Sequence, residues 1–229
     1  MNDFYTFIVS STINSPNKTY TREERFEQTI KTLESICSKV DNAKIIFIDN
    51  SIETLTEEQQ EIIKPKVDLL HILDHNIVTL YFNRIYSKGL GEIFLMYEAL
   101  KLIDRNDLIG KRIFKLSGRY RLAESFDISA YEDPSLFGKY VARINPWDVF
   151  KDNKPLETVW YFETRLWSMC GSLFEDFKNE GIHQSFNYMS SVDANIEKAY
   201  LHALGKHTVE FKPIHVEGND TENAVYRFE

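Results

Sequence analysis

The chain has 229 residues, of which 43% are hydrophobic and 14% aromatic, enough for one domain with a full core. It carries 35 Asp and Glu against 27 Lys and Arg, a formal net charge of -8. That balance argues against a long nucleic-acid polymer as the main partner, because such binding needs clustered basic residues, but it is compatible with a local basic pocket for one nucleotide. The two cysteines, Cys37 and Cys170, show neither disulfide nor metal-site spacing, and no apolar run reaches the roughly 18 residues of a membrane span. With no basic, apolar leader after Met1, these features lead to the expectation of a cytoplasmic protein, with peripheral membrane contact left open.

In chain order, Tyr5 to Val9 reads as a strand ending in Ser10-Ser11-Thr12. Thr21 and Glu24 form a capping box ahead of a helix marked by Phe26, Ile30, Leu33 and Ile36. Lys44 to Asp49 is a second strand, apolar enough to be buried on both faces, so the opening is strand, helix, strand. Thr54 to Lys64 reads as an acidic helix stopping near Pro65, and Val67 to Tyr86 fits either a strand plus helix or two helices. Gly89 and Gly91 precede a helix over Ile93 to Ile103, and Arg112 to Leu116 is the next strand. The first half is therefore α/β with a mostly parallel sheet flanked by helices.

The second half offers strands at Tyr140 to Ile144, Val159 to Phe162 and Arg165 to Met169, with Asn145-Pro146-Trp147 read as a loop. A short helix is expected at Ser172 to Lys178. A clearer one, capped by Asp193, carries Ile196, Ala199, Tyr200, Ala203 and Leu204, and Val209 to Phe211 is a last strand. There is no repeat and no linker. Residues 1–229 read as one domain, about 1–125 binding a nucleotide and about 126–229 binding an acceptor.

Ligands of open α/β sheets bind beyond the carboxyl ends of the strands. Here those ends supply Ser10, Ser11 and Thr12, then Asp49 and Asn50, then Ser117, Gly118 and Arg119. Hydroxyls permit close approach, a carboxylate or amide suits a base or ribose, and arginine suits a diphosphate. Lys88 and Gly89 open a helix, where free N–H groups attract anions. Each feature also has a plain structural use in turns and caps.

Together, Val9-Ser-Ser-Thr12, Ile48-Asp-Asn50, Lys88-Gly-Leu-Gly-Glu92 and Phe114-Lys-Leu-Ser-Gly-Arg-Tyr120 resemble the GT-A-type glycosyltransferases over roughly residues 4 to 125, and more loosely to the end. The resemblance implies a single GT-A-like, Rossmann-type domain that moves a sugar from a nucleotide-sugar donor to a hydroxyl of a glycan or glycolipid, in surface-polysaccharide assembly. Where that fold normally carries a metal-binding Asp-x-Asp motif, this chain has Ser117-Gly118-Arg119, so no divalent metal cofactor is expected. Arg119, with Lys88, Lys115 or Arg121, would offset the diphosphate charge instead. Met169-Cys-Gly171 and Ser191-Val-Asp193 are similar to later elements of the family. Asp193, Glu197 and Glu163 are therefore the candidates for the base that accepts the acceptor's proton. Asp193 serves equally well as an N-cap. His215 resembles the family's C-terminal histidine and is assigned to phosphate or to structure. Trp147, Trp160, Arg165 and Trp167 are the candidate acceptor contacts, since aromatic rings stack on sugar faces. A non-catalytic module of this fold is one alternative. A nucleotidyltransferase is the other, disfavoured because Ser10 to Tyr20 contains no glycine.

Overall fold

The computed structural model describes residues 2–14, 19–51, 53–73, 88–151, 154–191, 195–210, 214–219 and 226–228. In chain order the main elements are β1 (Asn2–Ser11), α1 (Arg22–Lys39), β2 (Ala43–Asp49), α2 (Glu57–Ile63), β3 (Leu69–Ile72), α3 (Lys88–Arg105), β4 (Gly110–Ser117) and β5 (Tyr120–Leu122). They continue with β6 (Tyr140–Lys151), β7 (Lys154–Cys170), α4 (Ile182–Ser191), α5 (Ile196–Leu204), β8 (Thr208–Glu210), β9 (Val216–Asn219) and β10 (Tyr226–Phe228). A seven-stranded sheet has the order β3-β2-β1-β4-β7-β6-β8, and a small sheet has the order β10-β9-β5. The first four strands of the large sheet run parallel, β7 is antiparallel to both β4 and β6, and β8 is parallel to β6. The result is a single α/β domain with a mostly parallel central sheet flanked by helices.

The central strands are apolar on both faces because each face meets its own core. Ile8, Ile46, Ile48 and Ile113 point to the side packed by α3, α4 and α5, together with Trp167 and Tyr200. Phe7, Val9, Phe47, Phe114 and Leu116 point to the other side, against Leu33 and Ile36 of α1. There Phe7 stacks on Phe114 with ring centroids 4.6 Å apart. Since β2 lies on one side of β1 and β4 on the other, the strand order reverses between β1 and β4, and in open α/β sheets the crevice that takes a ligand lies at the carboxyl ends of such a pair.

Several expectations needed revision. Asn145 to Trp147 is not a loop: β6 runs through it and pairs with β7 to Lys154, the proline being accommodated in the hairpin arm. Two steps along β6, from Ala142 to Ile144, face five along β7, from Trp167 to Phe162, so β7 bulges over residues 163–166. The Ser172 to Lys178 helix is part of a longer helical run, with a π-helical stretch at Phe177–Gly181 before α4. The cap of α5 is Asn195, whose side chain accepts from the Lys198 N–H, and not Asp193, which lies outside the described residues. In the ambiguous Val67 to Tyr86 region, β3 is the described element. Among the described residues no helix is long and apolar enough to cross a membrane.

Candidate functional site

The crevice is built from loops locked to one another. Asp49 is fully buried, and its carboxylate accepts from the backbone N–H of Ile13 at 3.1 Å and of Ser51 at 2.9 Å. The Asn50 N–H donates to the Ser11 carbonyl at 2.9 Å, and the Asn14 N–H to the Ser51 hydroxyl at 2.8 Å. The residue expected to touch a nucleoside therefore clamps the β1 and β2 loops instead. Ser10 and Ser11 are buried, Thr12 is half-buried, and the Ser11 hydroxyl lies 3.2 Å from that of Thr29 on α1.

The turn after β4 comes close to this frame. The Gly118 N–H donates to the Ser10 carbonyl at 2.7 Å, and a Cβ on Gly118 would sit 3.1 Å from that oxygen and 3.1 Å from the Ser11 Cβ. Glycine eases this tight approach, which carries half-buried Ser117 and Arg119 to the carboxyl ends of β1 and β4. Gly218 of β9 does the same from the other side: its Cβ would lie 2.5 Å from the Arg119 carbonyl oxygen.

Close enough to Arg119 to feel its charge is Arg25, one turn into α1 and only 6% exposed. Arg25 Nε and Arg119 Nη1 are buried atoms with no hydrogen-bond acceptor, and among the described residues no carboxylate pairs with either guanidinium. Burial first, and then the neighbouring Arg119 charge, pull the Arg25 guanidinium below its ordinary value. Two like charges held this way, one of them nearly sealed from water, are costly unless an anion joins them. The rings nearby are electron-rich faces: Arg25 lies 5.9 Å from the Tyr20 centroid, Arg119 5.6 Å from that of Tyr120 and Arg165 5.3 Å from the same ring.

The helical spacing of Phe26, Ile30, Leu33 and Ile36 in the sequence passes over Arg25. The helix is turned so that Phe26 and Ile30 are half-buried while Arg25, Thr29, Thr32 and Leu33 point inward. The spacing from Arg25 to Thr29 to Leu33, four residues each time, is the signal that was available.

Glu163 and Arg165, on the β7 bulge, join this group through Tyr120. Glu163 is buried, accepting from Arg165 Nη1 at 3.2 Å, from the Arg165 backbone N–H at 3.3 Å and from Asn145 Nδ2 at 3.4 Å. Between them Thr164 points away, its hydroxyl donating to Glu197 of α5 at 3.4 Å. Glu163, Arg165 and Arg119 thus come together, with Glu197 reached through Thr164.

Other candidates lie elsewhere. Lys115 is 2% exposed and is engaged by the Thr164 carbonyl at 2.7 Å and Glu92 at 2.5 Å, so it is a buried strut and not a phosphate ligand. A Cβ on Gly89 would meet Met189 Cε at 2.6 Å, which makes that glycine a packing residue between helices. Trp167, 2% exposed, is core, packed edge-on against Phe162 and Phe177, so it is no acceptor contact. Trp160 is 52% exposed on the β6–β7 hairpin. His215 sits beyond the Leu122 end of β5, away from Arg119, with φ of 57° and its Nδ1 2.9 Å from the Ser125 hydroxyl. The side chains of Lys88 and Trp147 lie outside the described residues. Among the described residues no cluster of three or more His, Cys, Asp or Glu is placed to hold a metal.

No family model matches the chain, and no curated protein sequence is similar to it. Solved structures share its fold. Core-mannan synthase A from Aspergillus fumigatus, in its Mn/GDP form, superposes with a TM-score of 0.53 at 12% identity, over 94% of this chain and 74% of that one. The bifunctional glycosyltransferase WbbM gives 0.52 at 10% identity, over 92% of this chain and 38% of that one. A glycosyltransferase involved in glycosylation of the major capsid of PBCV-1 gives 0.50 at 10% identity, over 92% and 82%. At such identities the likeness establishes the fold: this chain has the GT-A-like, Rossmann-type architecture.

Proposed function

We propose that this protein is a glycosyltransferase that takes its sugar from a nucleotide-sugar donor and holds the donor's diphosphate between Arg25 and Arg119, without a metal. The observation that carries this reading is the pair of neighbouring guanidiniums, with no carboxylate partner among the described residues, at the carboxyl ends of β1 and β4 in a GT-A-like fold. The turn that closes the crevice presents a hydroxyl, a glycine and a guanidinium, with no carboxylate. That donor set does not fit a divalent cation, which two guanidiniums would repel.

In the reaction proposed, a hydroxyl of a glycan or glycolipid attacks the anomeric carbon. Its proton passes to a carboxylate, the bond from that carbon to the diphosphate oxygen breaks, and the diphosphate leaves with one more negative charge. Arg25 and Arg119 face the place where that charge develops, in a site that needs no rearrangement to receive it. Glu163 and Glu197 flank Thr164 and are the described candidates for the base, with Asp193 the third. Trp160 offers an exposed ring for a sugar face, and Arg165 lies beside Tyr120 at the entrance. A cytoplasmic role in surface-polysaccharide synthesis completes the reading.

The test is release of nucleoside diphosphate from a panel of nucleotide sugars, in EDTA, with mixed glycan and glycolipid acceptors. One donor should turn over, and Gln or Asn at the true base among Glu163, Glu197 and Asp193 should slow it about 100-fold or more. Turnover of no donor, or of a donor only on adding Mn, would overturn the proposal.

A further inference from the structure

Lys115 and Glu92 form an ion pair at 2.5 Å that bridges β4 and α3, with the lysine almost wholly buried and the glutamate side chain 20% exposed. A buried pair of this kind is an expensive way to join a strand to a helix, because both charges leave water. Beside this ion pair, the Lys115 ammonium donates a hydrogen bond to the backbone of β7. It is made to the Thr164 carbonyl at 2.7 Å, inside the bulge of β7, where the regular ladder with β6 is interrupted. The next side chain contact of the same bulge is the Thr164 hydroxyl on Glu197. On the opposite side of that backbone stand Glu163 and Arg165, and Arg165 reaches the Tyr120 ring that Arg119 also faces.

We infer that Lys115 is a positioning residue: supported by Glu92, it fixes the Thr164 carbonyl and so sets the bulge that aims Glu163 and Arg165 at the crevice. The inference rests on the proposed function for its kinetic consequence, but not for its structural one.

Two variants separate positioning from mere stability. Lys115→Met keeps the apolar stem and strands the Glu92 carboxylate. Lys115→Met with Glu92→Gln removes that stranded charge as well. Relative to Lys115→Met, the double variant should recover thermal stability. It should nevertheless keep amide hydrogen exchange at residues 163–166 at least tenfold faster than in the wild type, while exchange in β1 and β4 stays unchanged. With an active donor, its turnover number should fall at least tenfold while the donor KM stays within twofold, because Arg25 and Arg119 are untouched. If the double variant regains wild-type exchange at 163–166 along with its stability, Lys115 is only a structural ion-pair partner and the inference is wrong. Equal turnover in the wild type and the double variant would contradict it too. A wild type that binds no nucleoside diphosphate would instead refute the proposed function, and the exchange result would still decide the role of Lys115.

Discussion

Replacing Arg25 by methionine separates the cost of the buried charge from its use. The residue is 6% exposed, its Nε has no acceptor, and the Arg119 charge that acts on it is of the same sign. Methionine keeps an unbranched apolar stem of similar reach and removes the charge. Swapping buried charges for well-fitting apolar groups stabilises proteins by about 1–4 kcal/mol. Taking the low end, about 1 kcal/mol, Arg25→Met should raise the Tm by roughly 2–4 °C for a chain of this length. Its effect on ligand binding runs the other way. A charge-assisted hydrogen bond to phosphate contributes about 1.5–3 kcal/mol, so affinity for a nucleoside diphosphate should fall between about 10- and 150-fold. In a melting assay the wild type therefore melts lower than the variant when empty and higher when saturated, since ligand at 100 times its Kd adds about 2.7 kcal/mol. A variant that melts below the empty wild type and shifts equally with ligand would refute the reasoning.

Further predictions concern the periphery and the base of the fold. Trp160→Ala should leave the Tm within about 1 °C, its ring being half in solvent, and should raise the acceptor KM. Trp167→Ala should cost about 3–5 kcal/mol in denaturant unfolding, since it empties an aromatic core position. Glu132 is held below the usual carboxylate range chiefly by its hydrogen bond with Lys111, at 2.8 Å, and then by that with Tyr5. A depressed carboxylate contributes stability above its unfolded pKa of about 4.3 and loses it as pH falls through the lower folded value. Glu132→Gln should therefore melt below the wild type at neutral pH, with the gap closing by about pH 2. A gap independent of pH would show that the charge has no part in it.

The fold was legible where two-sided burial writes itself into sequence. β1, β2 and β4 are continuous apolar runs because each lies between two cores, and the Thr21 capping box marks the start of α1 one residue later. The inner parts of β6 and β7 were read as separate strands, but their union into one long hairpin was not legible, because Pro146 and the bulge at 163–166 break the alternation that identifies strands. In the proposed site, the Ser-Gly-Arg turn after β4 is visible from residue types alone, while its diphosphate role belongs to the proposal. The roles of Asp49 and Lys115 are not visible in this way, since a strand-end carboxylate or lysine looks the same whether it faces a ligand or the backbone next to it. Arg25 hid within an otherwise ordinary polar helix start. Only the rotation of α1 about its axis brings it close to Arg119.

The central claim, that two arginines replace a metal as diphosphate holder, is tested most directly by titration calorimetry of the common nucleoside diphosphates in EDTA, then with Mn, on the wild type and Arg119→Ala. The predicted result is one nucleotide that binds in EDTA, gains nothing from Mn, and loses at least tenfold in affinity, about 1.4 kcal/mol, in the variant. Binding that requires Mn, or that is indifferent to Arg119, would contradict it.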